Sequence, residues 1–488
     1  MPAHPKRAIN WVRMFARGTR FTSCICISVL LIICHVCPVP AQTSADINQK
    51  LTPQQLIEDV NFYVKTLEET HINPFVHIPQ KEFRAQADDI KSRVSKQGAM
   101  TRQEFWLLFT PLVSSIQDRH TVVVEPRFFI PNNPTKYLPV RAVYVNGELV
   151  VTSSVADVLI AKGAVITSIN GMRSGEVIRK LSRYSFGAEK ERMQSAGGWL
   201  WVGAAEVLGR PETFVLTFSD GAKAEVKGLT VSEITSREKA ANINPAPGSD
   251  LPLELKFLEG DIAYLNSPTF AYDLEKFKSI LNDIFTRIRA AGAKHLIVDL
   301  RSNTGGHSAL GDALINMFNA RPYKGYTSSW KRSRQYVENM RKDGAAIPAH
   351  YLDLKPGEVY VSKAATVRPA ANPLRFGGRV YVLSGEETFS SGQMFLGVVK
   401  DNNLAEIIGE ETSTPACFAG ELYMFNLPNS RLRVSSSVRY WMPPGGCKGV
   451  RGVVPDMVVT RRLEDYLAGR DRILEKALEL IKGKQNSR

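Results

Sequence analysis

Two adjacent glycines follow a predicted buried strand in the C-terminal half of the chain. The apolar run 296–300 leads through Asn303 to Gly305 and Gly306. Glycines can leave backbone N–H groups exposed, and such groups can hold the negative oxygen that forms when a carbonyl is attacked. The same pattern is typical of a tight strand-to-helix turn, so this segment alone leaves both interpretations open.

A serine lies at the predicted start of a helix further along the chain. The run 380–383 predicts a strand, and after a short loop a helix is predicted from Ser391. Ser390 would then lie at the positive end of the helix dipole, which favours developing negative charge. Ser390 and Gln393 also have the spacing of a capping box, in which the hydroxyl only satisfies a backbone N–H.

Two histidines are candidates for a general base. His120 is predicted at a corner between a helix that ends near Gln117 and the β-branched run 121–124, whereas His307 directly follows the two glycines. A lone histidine is more often structural or exposed than catalytic, and His307 can equally serve the geometry of its turn. The residue pattern alone therefore assigns neither of them.

Composition bounds the class of protein. The chain has 488 residues, of which 44% are hydrophobic and 23% charged, enough to bury cores in about two or three domains. The net charge is +14, but the sequence has no long basic run interleaved with aromatic residues. We therefore expect no nucleic-acid partner. We also find no metal-binding or phosphate-binding motif, and we predict no metal and no cofactor.

Residues 1–41 have the parts of an export signal. A basic stretch precedes an uncharged apolar run, and the segment ends in Val39-Pro40-Ala41. We expect a periplasmic or extracellular protein. The apolar run is close to the length that spans a bilayer, so an uncleaved anchor is the alternative and the only route to membrane association that we predict.

Cysteine usage fits an oxidising compartment. Four of the six cysteines lie in residues 1–41, which leaves Cys417 and Cys447 in the rest of the chain. These two residues could form a disulfide between two loops, or they could remain free thiols.

Hydrophobic periodicity divides the remaining chain into four parts. Residues 50–130 have helical spacing, and residues 131–240 alternate as short strands with glycine turns. Residues 241–465 alternate strands and helices, which predicts an α/β sheet, and residues 466–488 predict a C-terminal helix. Within the second part, 163–171 resembles the end of a PDZ domain; a peptide-binding module and a structural insert are both open.

Four motifs of the third part resemble the tail-specific, or C-terminal-processing, serine proteases. They are Asp-Leu-Arg-Ser-Asn-Thr-Gly-Gly (299–306), Thr-Phe-Ser-Ser before a helix (388–391), Gly-Glu-Glu-Thr (409–412) and Gly-Val-Val-Pro-Asp (452–456). The resemblance implies a ClpP/crotonase-like α/β core, preceded here by the helical region and the small β-rich, PDZ-like module. It further implies a polypeptide substrate, while the oligomeric state is left open.

The resemblance also implies site residues. Ser390 matches the nucleophile, and the N–H groups of Ser391 and of Gly305 or Gly306 match the oxyanion hole. The lysine that many relatives use as the base is replaced here by Pro415. A serine without a base is a weak nucleophile, so another base must act or activity is lost.

A histidine can fill that role. Asp118-Arg119-His120-Thr121 resembles the Asp-Gly-His-Thr corner of the branch that includes the tricorn core protease, where the histidine is the base. Arg119 departs from the small residue of that corner.

The acid that would orient the imidazole is the least determined residue, and we expect Glu421 ahead of Glu410 and Glu411. The resulting prediction is an exported serine endopeptidase that cuts unfolded or C-terminal segments through an acyl-enzyme on Ser390. The alternative is an inactive member of the family that binds peptides or apolar ligands.

Overall fold

The computed structural model describes residues 49–124, 134–243 and 252–486. The predicted export signal, 1–41, lies outside these residues. Within the described ranges, no helix combines the length and the apolar character that a membrane span needs.

Three helices form the N-terminal region. Thr52 and Thr101 each cap a helix with a capping box. The helices bury a core that also takes in Phe425 and Val434 of a β-hairpin more than 300 positions later, so this region is fixed to the C-terminal half. The elements are β1 (Lys50–Leu51), α1 (Pro53–Thr70), α2 (Gln80–Gln97), β2 (Met100–Thr101) and α3 (Arg102–Ser114).

The next region is an antiparallel sheet with three helices. Its strands lie in the order β3-β4-β5-β7-β8, and β6 pairs with β5. The elements are β3 (Val140–Val145), β4 (Glu148–Ser154), β5 (Val165–Ile169), β6 (Met172–Arg173), α4 (Ser174–Ser182), α5 (Glu189–Val207), β7 (Thr213–Phe218), β8 (Lys223–Lys227) and α6 (Val231–Ala240). We call this region the β-rich module.

Helix α5 covers the edge strand of the β-rich module. A Cβ atom on Gly197 of α5 would lie only 2.4 Å from the backbone nitrogen of Tyr144 in β3, so only glycine permits this approach. The N–H of Leu138 donates to the carbonyl of Trp201 in the same helix at 3.1 Å. A peptide could add to β3 only if α5 moved, which favours a structural role for this face of the module.

The remaining described elements form three further sheets, one of them the two-stranded pair of β12 and β15, together with their helices. In chain order they are β9 (Glu254–Leu258), β10 (Ile262–Asn266), α7 (Leu274–Ala290), β11 (His295–Asp299), α8 (Ser308–Asn316), β12 (Tyr323–Lys324), β13 (Thr327–Lys331), α9 (Arg334–Lys342), α10 (Ala349–Leu352), β14 (Val359–Ser362), β15 (Thr366–Val367), β16 (Arg379–Ser384), α11 (Ser391–Asp401), β17 (Glu406–Gly409), β18 (Phe418–Asn426), β19 (Arg433–Met442), β20 (Met457–Val458), α12 (Leu463–Leu467) and α13 (Arg472–Asn486).

The central sheet confirms the predicted α/β class. Its order is β20-β17-β16-β11-β10-β9, and every pairing is parallel except β9 with β10. Strand β11 is buried at all of its residues, as expected for a parallel sheet covered on both faces. Asp299 at the end of β11 pairs with Leu383 near the end of β16, so the loops that follow these strands leave the same edge of the sheet.

A four-stranded sheet of order β14-β13-β19-β18 packs beside this core. The long segment between 318 and 380 supplies β13 and β14 to it. Within the segment 466–488, where a C-terminal helix is predicted, the structure has the end of α12 and then α13, which packs Ile473, Ala477 and Ile481 against the central sheet.

The structure joins Cys417 and Cys447 in a disulfide with an S–S distance of 2.04 Å. The bond ties the residue before β18 to the loop that follows β19. It closes a loop of 30 positions, which in the chain-entropy model corresponds to about 3–4 kcal/mol of stabilisation.

We predict that Cys447→Ser lowers the thermal unfolding midpoint relative to the oxidised protein, because the unfolded chain regains the entropy of the open loop. Calorimetry measures the midpoint, and reduced wild-type protein should unfold with the variant. If oxidised, reduced and variant proteins unfold together, the bond contributes no stability.

Candidate active site

Ser390 lies in a sharp turn between β16 and α11. Its backbone has φ 52° and ψ −123°, a left-handed conformation that is unfavourable for a residue with a side chain. The hydroxyl makes no capping hydrogen bond to α11. Gln393 donates instead to the carbonyl of Pro415 at 2.7 Å, so the capping box that could have explained Ser390 is not formed.

The imidazole of His120 lies against the Ser390 hydroxyl. Nε2 of His120 is 3.1 Å from Oγ of Ser390, although the two residues are 270 positions apart in the chain. Ser390 is partly exposed, whereas His120 is buried at 5% exposure. A buried imidazole thus meets the side chain of a partly exposed serine.

Strand β19 fixes the backbone of the His120 corner. Ser435 donates its hydroxyl to the His120 carbonyl at 2.7 Å and accepts the N–H of Val122 at 3.0 Å. The predicted strand 121–124 is present only as a short pairing with β19, centred on a bridge between Val123 and Val434. This pairing places His120, which follows the N-terminal helices, at the edge of the central sheet where Ser390 lies.

Two phenylalanines fix the plane of the imidazole. The ring of Phe389 stacks on His120 at a centroid distance of 4.5 Å, and that of Phe418 does so at 5.6 Å. Phe389 immediately precedes Ser390, and Phe418 immediately follows Cys417 of the disulfide. The base is therefore stacked against aromatic residues of both loops.

Asp118 is the carboxylate next to His120. Its Oδ1 accepts the backbone N–H of His120 at 2.9 Å and lies 4.0 Å from the ring atom Nδ1. Its Oδ2 accepts hydrogen bonds from the hydroxyls of Thr121 and Ser437. The Nδ1 atom itself makes no hydrogen bond of good geometry within the described part of the chain.

A second buried histidine also contacts Asp118. His71 accepts the N–H of Asn73 on Nδ1 at 3.0 Å, so its proton is on Nε2. That Nε2 lies 3.2 Å from Oδ2 of Asp118 and donates to it. Asp118 thus accepts from four donors among the residues that the structure describes.

These surroundings set the charge of both groups. Burial opposes the charged form of Asp118, but the hydrogen bond from His71, the attraction of both imidazoles when they are protonated and the Ser437 hydroxyl together lower its pKa to about 2. Burial also lowers the pKa of His120 below its usual 6.5, against the opposing effects of Asp118 and the Ala419 carbonyl. Near neutral pH the pair is a carboxylate beside a neutral imidazole.

The expected orienting acid, Glu421, contacts other groups. Its carboxylate accepts a hydrogen bond from Tyr336 at 2.8 Å and lies 4.0 Å from Arg439. The other two candidates are also engaged elsewhere, because Glu410 pairs with Arg461 and Glu411 with Arg451. The sequence pattern favoured glutamates of one loop, whereas the carboxylate nearest the base lies two residues before it.

The two glycines differ in what their amides do. The N–H of Gly305 donates to the side chain of Asn303 at 2.9 Å. The N–H groups of Gly306 and Ser391 have no hydrogen-bond acceptor within the described residues. A Cβ on Gly305 would lie 2.7 Å from Cβ of Ser390 and 3.1 Å from the Ser391 nitrogen, so Gly305 packs directly against Ser390. Gly306 and Ser391 are therefore the amides open to an oxyanion.

The other candidate base has no such position. His307 is exposed, and its backbone N–H donates to the carbonyl of Phe270 at 2.9 Å. The carbonyl of Pro415, at the position of the missing lysine, accepts the side-chain amide of Gln393.

Sequence reasoning missed the residues behind the base, namely His71, Ser435 and Ser437. One signal was present: three consecutive serines, 435–437, occupy a strand flanked by valines. All three are fully buried. Buried hydroxyls need hydrogen-bond partners, so such a run indicates a polar network inside the protein.

Comparison with known proteins adds a family and a fold. Residues 261–459 match the model of the family described as peptidase family S41. The chain is similar to the crystal structure of mature CPAF, with 16% identity, a TM-score of 0.61, and coverage of 88% of this chain and 98% of that chain. It is also similar to mature CPAF complexed with lactacystin, with 15% identity, a TM-score of 0.61, and coverage of 88% and 99%. At these identities the likeness to CPAF shows the fold alone.

The space at Gly305 yields a prediction. Gly305→Ala should lower the rate of Ser390 modification by about a hundredfold or more, since the new methyl group displaces the hydroxyl. Gly357→Ala is the matched control, because Gly357 has nearly the same φ, 92° against 93°, but a Cβ added there would have no atom within 4 Å. Labelling by a fluorophosphonate probe measures both rates; equal rates would show that the Gly305 site tolerates a side chain.

Proposed function

We propose that the chain is a serine-type peptidase of family S41, whose model matches residues 261–459, and that Ser390 is its nucleophile and His120 its general base. The observation that carries the proposal is the 3.1 Å contact between Oγ of Ser390 and Nε2 of His120. It lies within the reach that proton transfer requires.

The geometry supports acylation in the following way. With the proton of the neutral imidazole on Nδ1, Nε2 accepts the Ser390 proton as Oγ attacks a peptide carbonyl. The carbonyl oxygen becomes negative and accepts hydrogen bonds from the N–H groups of Ser391 and Gly306. The imidazolium then donates its Nε2 proton to the leaving amine, which departs as the acyl-enzyme forms, and water hydrolyses the ester by the reverse proton path.

Asp118 supplies the negative charge that supports the imidazolium. Opposite unit charges 4 Å apart attract by about 4 kcal/mol at an effective dielectric constant of 20. Asp118 is held in place by its own donors and does not need a direct hydrogen bond to Nδ1 to act. Its charge and position make it a better candidate than Glu421 for the acid of this site.

Substrate and compartment are further parts of the proposal. We infer an endopeptidase that cuts unfolded or C-terminal polypeptide segments, because a partly exposed nucleophile beside a buried base suits an extended chain. Export is supported by the composition of residues 1–41 and by the Cys417–Cys447 disulfide, since such bonds persist in oxidising compartments.

We predict that Ser390→Ala abolishes both peptide hydrolysis and fluorophosphonate labelling, and that His120→Ala slows acylation by about a hundredfold or more. His307→Ala is the control and should retain wild-type rates, because that side chain is exposed and outside the site. Hydrolysis of an unfolded protein substrate provides the assay. Wild-type protein that neither turns over substrate nor reacts with the probe would support the alternative of a binding protein.

A further prediction separates the two carboxylates. Asp118→Asn should lower kcat by at least about tenfold, because the imidazolium loses a nearby negative charge. Glu421→Gln should leave kcat within about twofold, since its partners are Tyr336 and Arg439. The opposite ranking would return the role of the acid to Glu421.

A further inference from the structure

Arg119, the residue that departs from the expected corner, contacts both loops of the site. Its guanidinium carbon lies 4.1 Å from the ring centroid of Phe389. Its Nη1 lies 3.2 Å from Oε1 of Glu191 and 3.4 Å from the hydroxyl of Thr414. Thr414 in turn donates to the same glutamate oxygen at 2.6 Å. The three side chains form one connected cluster.

The cluster is largely shielded from water. The side chains of Arg119 and Glu191 are 20% and 5% exposed. An ion pair that is this buried is costly to break, because the partner left behind keeps an uncompensated charge. The contact therefore constrains the positions of both residues more than a surface ion pair would.

Glu191 brings the β-rich module to the site. It lies in the first turn of α5, the helix whose later residues cover β3. Two more residues of this helix, Lys190 and Gln194, donate to the carboxylate of Glu386 at 2.6 and 2.9 Å. Glu386 is in the loop that ends at Ser390. One helix thus contacts the loop of the nucleophile and the residue next to the base.

Phe389 connects these contacts to the reacting atoms. It precedes Ser390 in the chain, and its ring stacks on both Arg119 and His120. Movement of the Arg119 guanidinium would therefore shift Phe389, which precedes the nucleophile Ser390. It would also shift His120, the base, which follows Arg119 in the chain.

We propose that Arg119 is a positioning residue that keeps the Ser390 hydroxyl and the His120 imidazole within hydrogen-bond distance. Through Glu191 it also couples the β-rich module to these two residues. This inference rests on the proposed function. Arg119 acts through Phe389 and through its place beside His120, and it takes no part in proton transfer.

The charges around His120 give this role a readout that a purely structural role lacks. The charged groups acting on the imidazole are Asp118, Arg119 and Glu191; burial has the largest effect on its pKa, Asp118 and Glu191 raise it, and Arg119 lowers it. The base must be deprotonated to act, so kcat/KM rises with pH through the pKa of His120. Neutralising Arg119 should move this rise to higher pH, and neutralising Glu191 should move it to lower pH.

The test compares Arg119→Met, Glu191→Gln and the double variant. We expect Arg119→Met to lower kcat about tenfold or more with KM changed less than about threefold. The reason is that Ser390 and His120 lose their relative alignment while substrate binding remains. The double variant should be no worse than Arg119→Met, since both changes break one contact. The pH profiles of the two single variants should shift in opposite directions.

The β-rich module offers a matched control. Arg141 pairs with Glu238 at 2.6 Å and stacks on Trp201 at 3.8 Å, which repeats the chemistry of the Arg119 cluster away from Ser390. Arg141→Met should leave kcat and the pH profile unchanged.

The possible outcomes distinguish a failure of the Arg119 proposal from a failure of the proposed peptidase function. If wild-type protein labels at Ser390 but Arg119→Met keeps its kcat and pH profile, the inference is overturned and the proposed function stands. Equal losses in Arg119→Met and Arg141→Met would also overturn it, because they would show general destabilisation. Wild-type protein that does not react with the probe would remove both.

Discussion

The contact between Ser390 and His120 depends on how a β-hairpin joins two distant parts of the chain. Strands β18 and β19 contribute to the apolar core of the N-terminal helices, and β19 holds the His120 corner through Ser435. The central sheet independently places Ser390 at the edge where β11 and β16 end. Neither the helical region nor the central sheet contains the candidate active site by itself. The hairpin forms this site by bringing His120 of one part to Ser390 of the other.

Burial favours the neutral form of both His120 and Asp118, but the two groups end in different charge states. The neutral form of His120 suits a base, whereas hydrogen bonds overcome the effect of burial in Asp118 and keep it charged. His71 contributes through a fixed tautomer, since Asn73 occupies its other nitrogen. In the proposed site a histidine takes the place of the missing lysine, and its surroundings set its protonation.

Local patterns predicted much of this architecture from the sequence. The helix expected from Ser391 begins at that residue, and the strands at 296–300 and 380–383 differ only at their ends. Ser390 and His120 were proposed through motifs whose spacing reflects these elements. The carboxylate beside His120 is not predictable in this way: Glu421 lies in β18, and the direction of its carboxylate depends on partners such as Tyr336 that are distant in sequence.

The rate at which a fluorophosphonate labels Ser390, followed by mass spectrometry across a range of pH, tests the central claim most directly. The labelling rate at Ser390 should rise with pH as His120 deprotonates. It should reach its plateau at a lower pH than an ordinary histidine would give, because burial lowers the pKa of His120 below 6.5. The same rise should be absent in His120→Ala. Labelling at another residue, or a wild-type rate independent of pH, would contradict a serine activated by this imidazole.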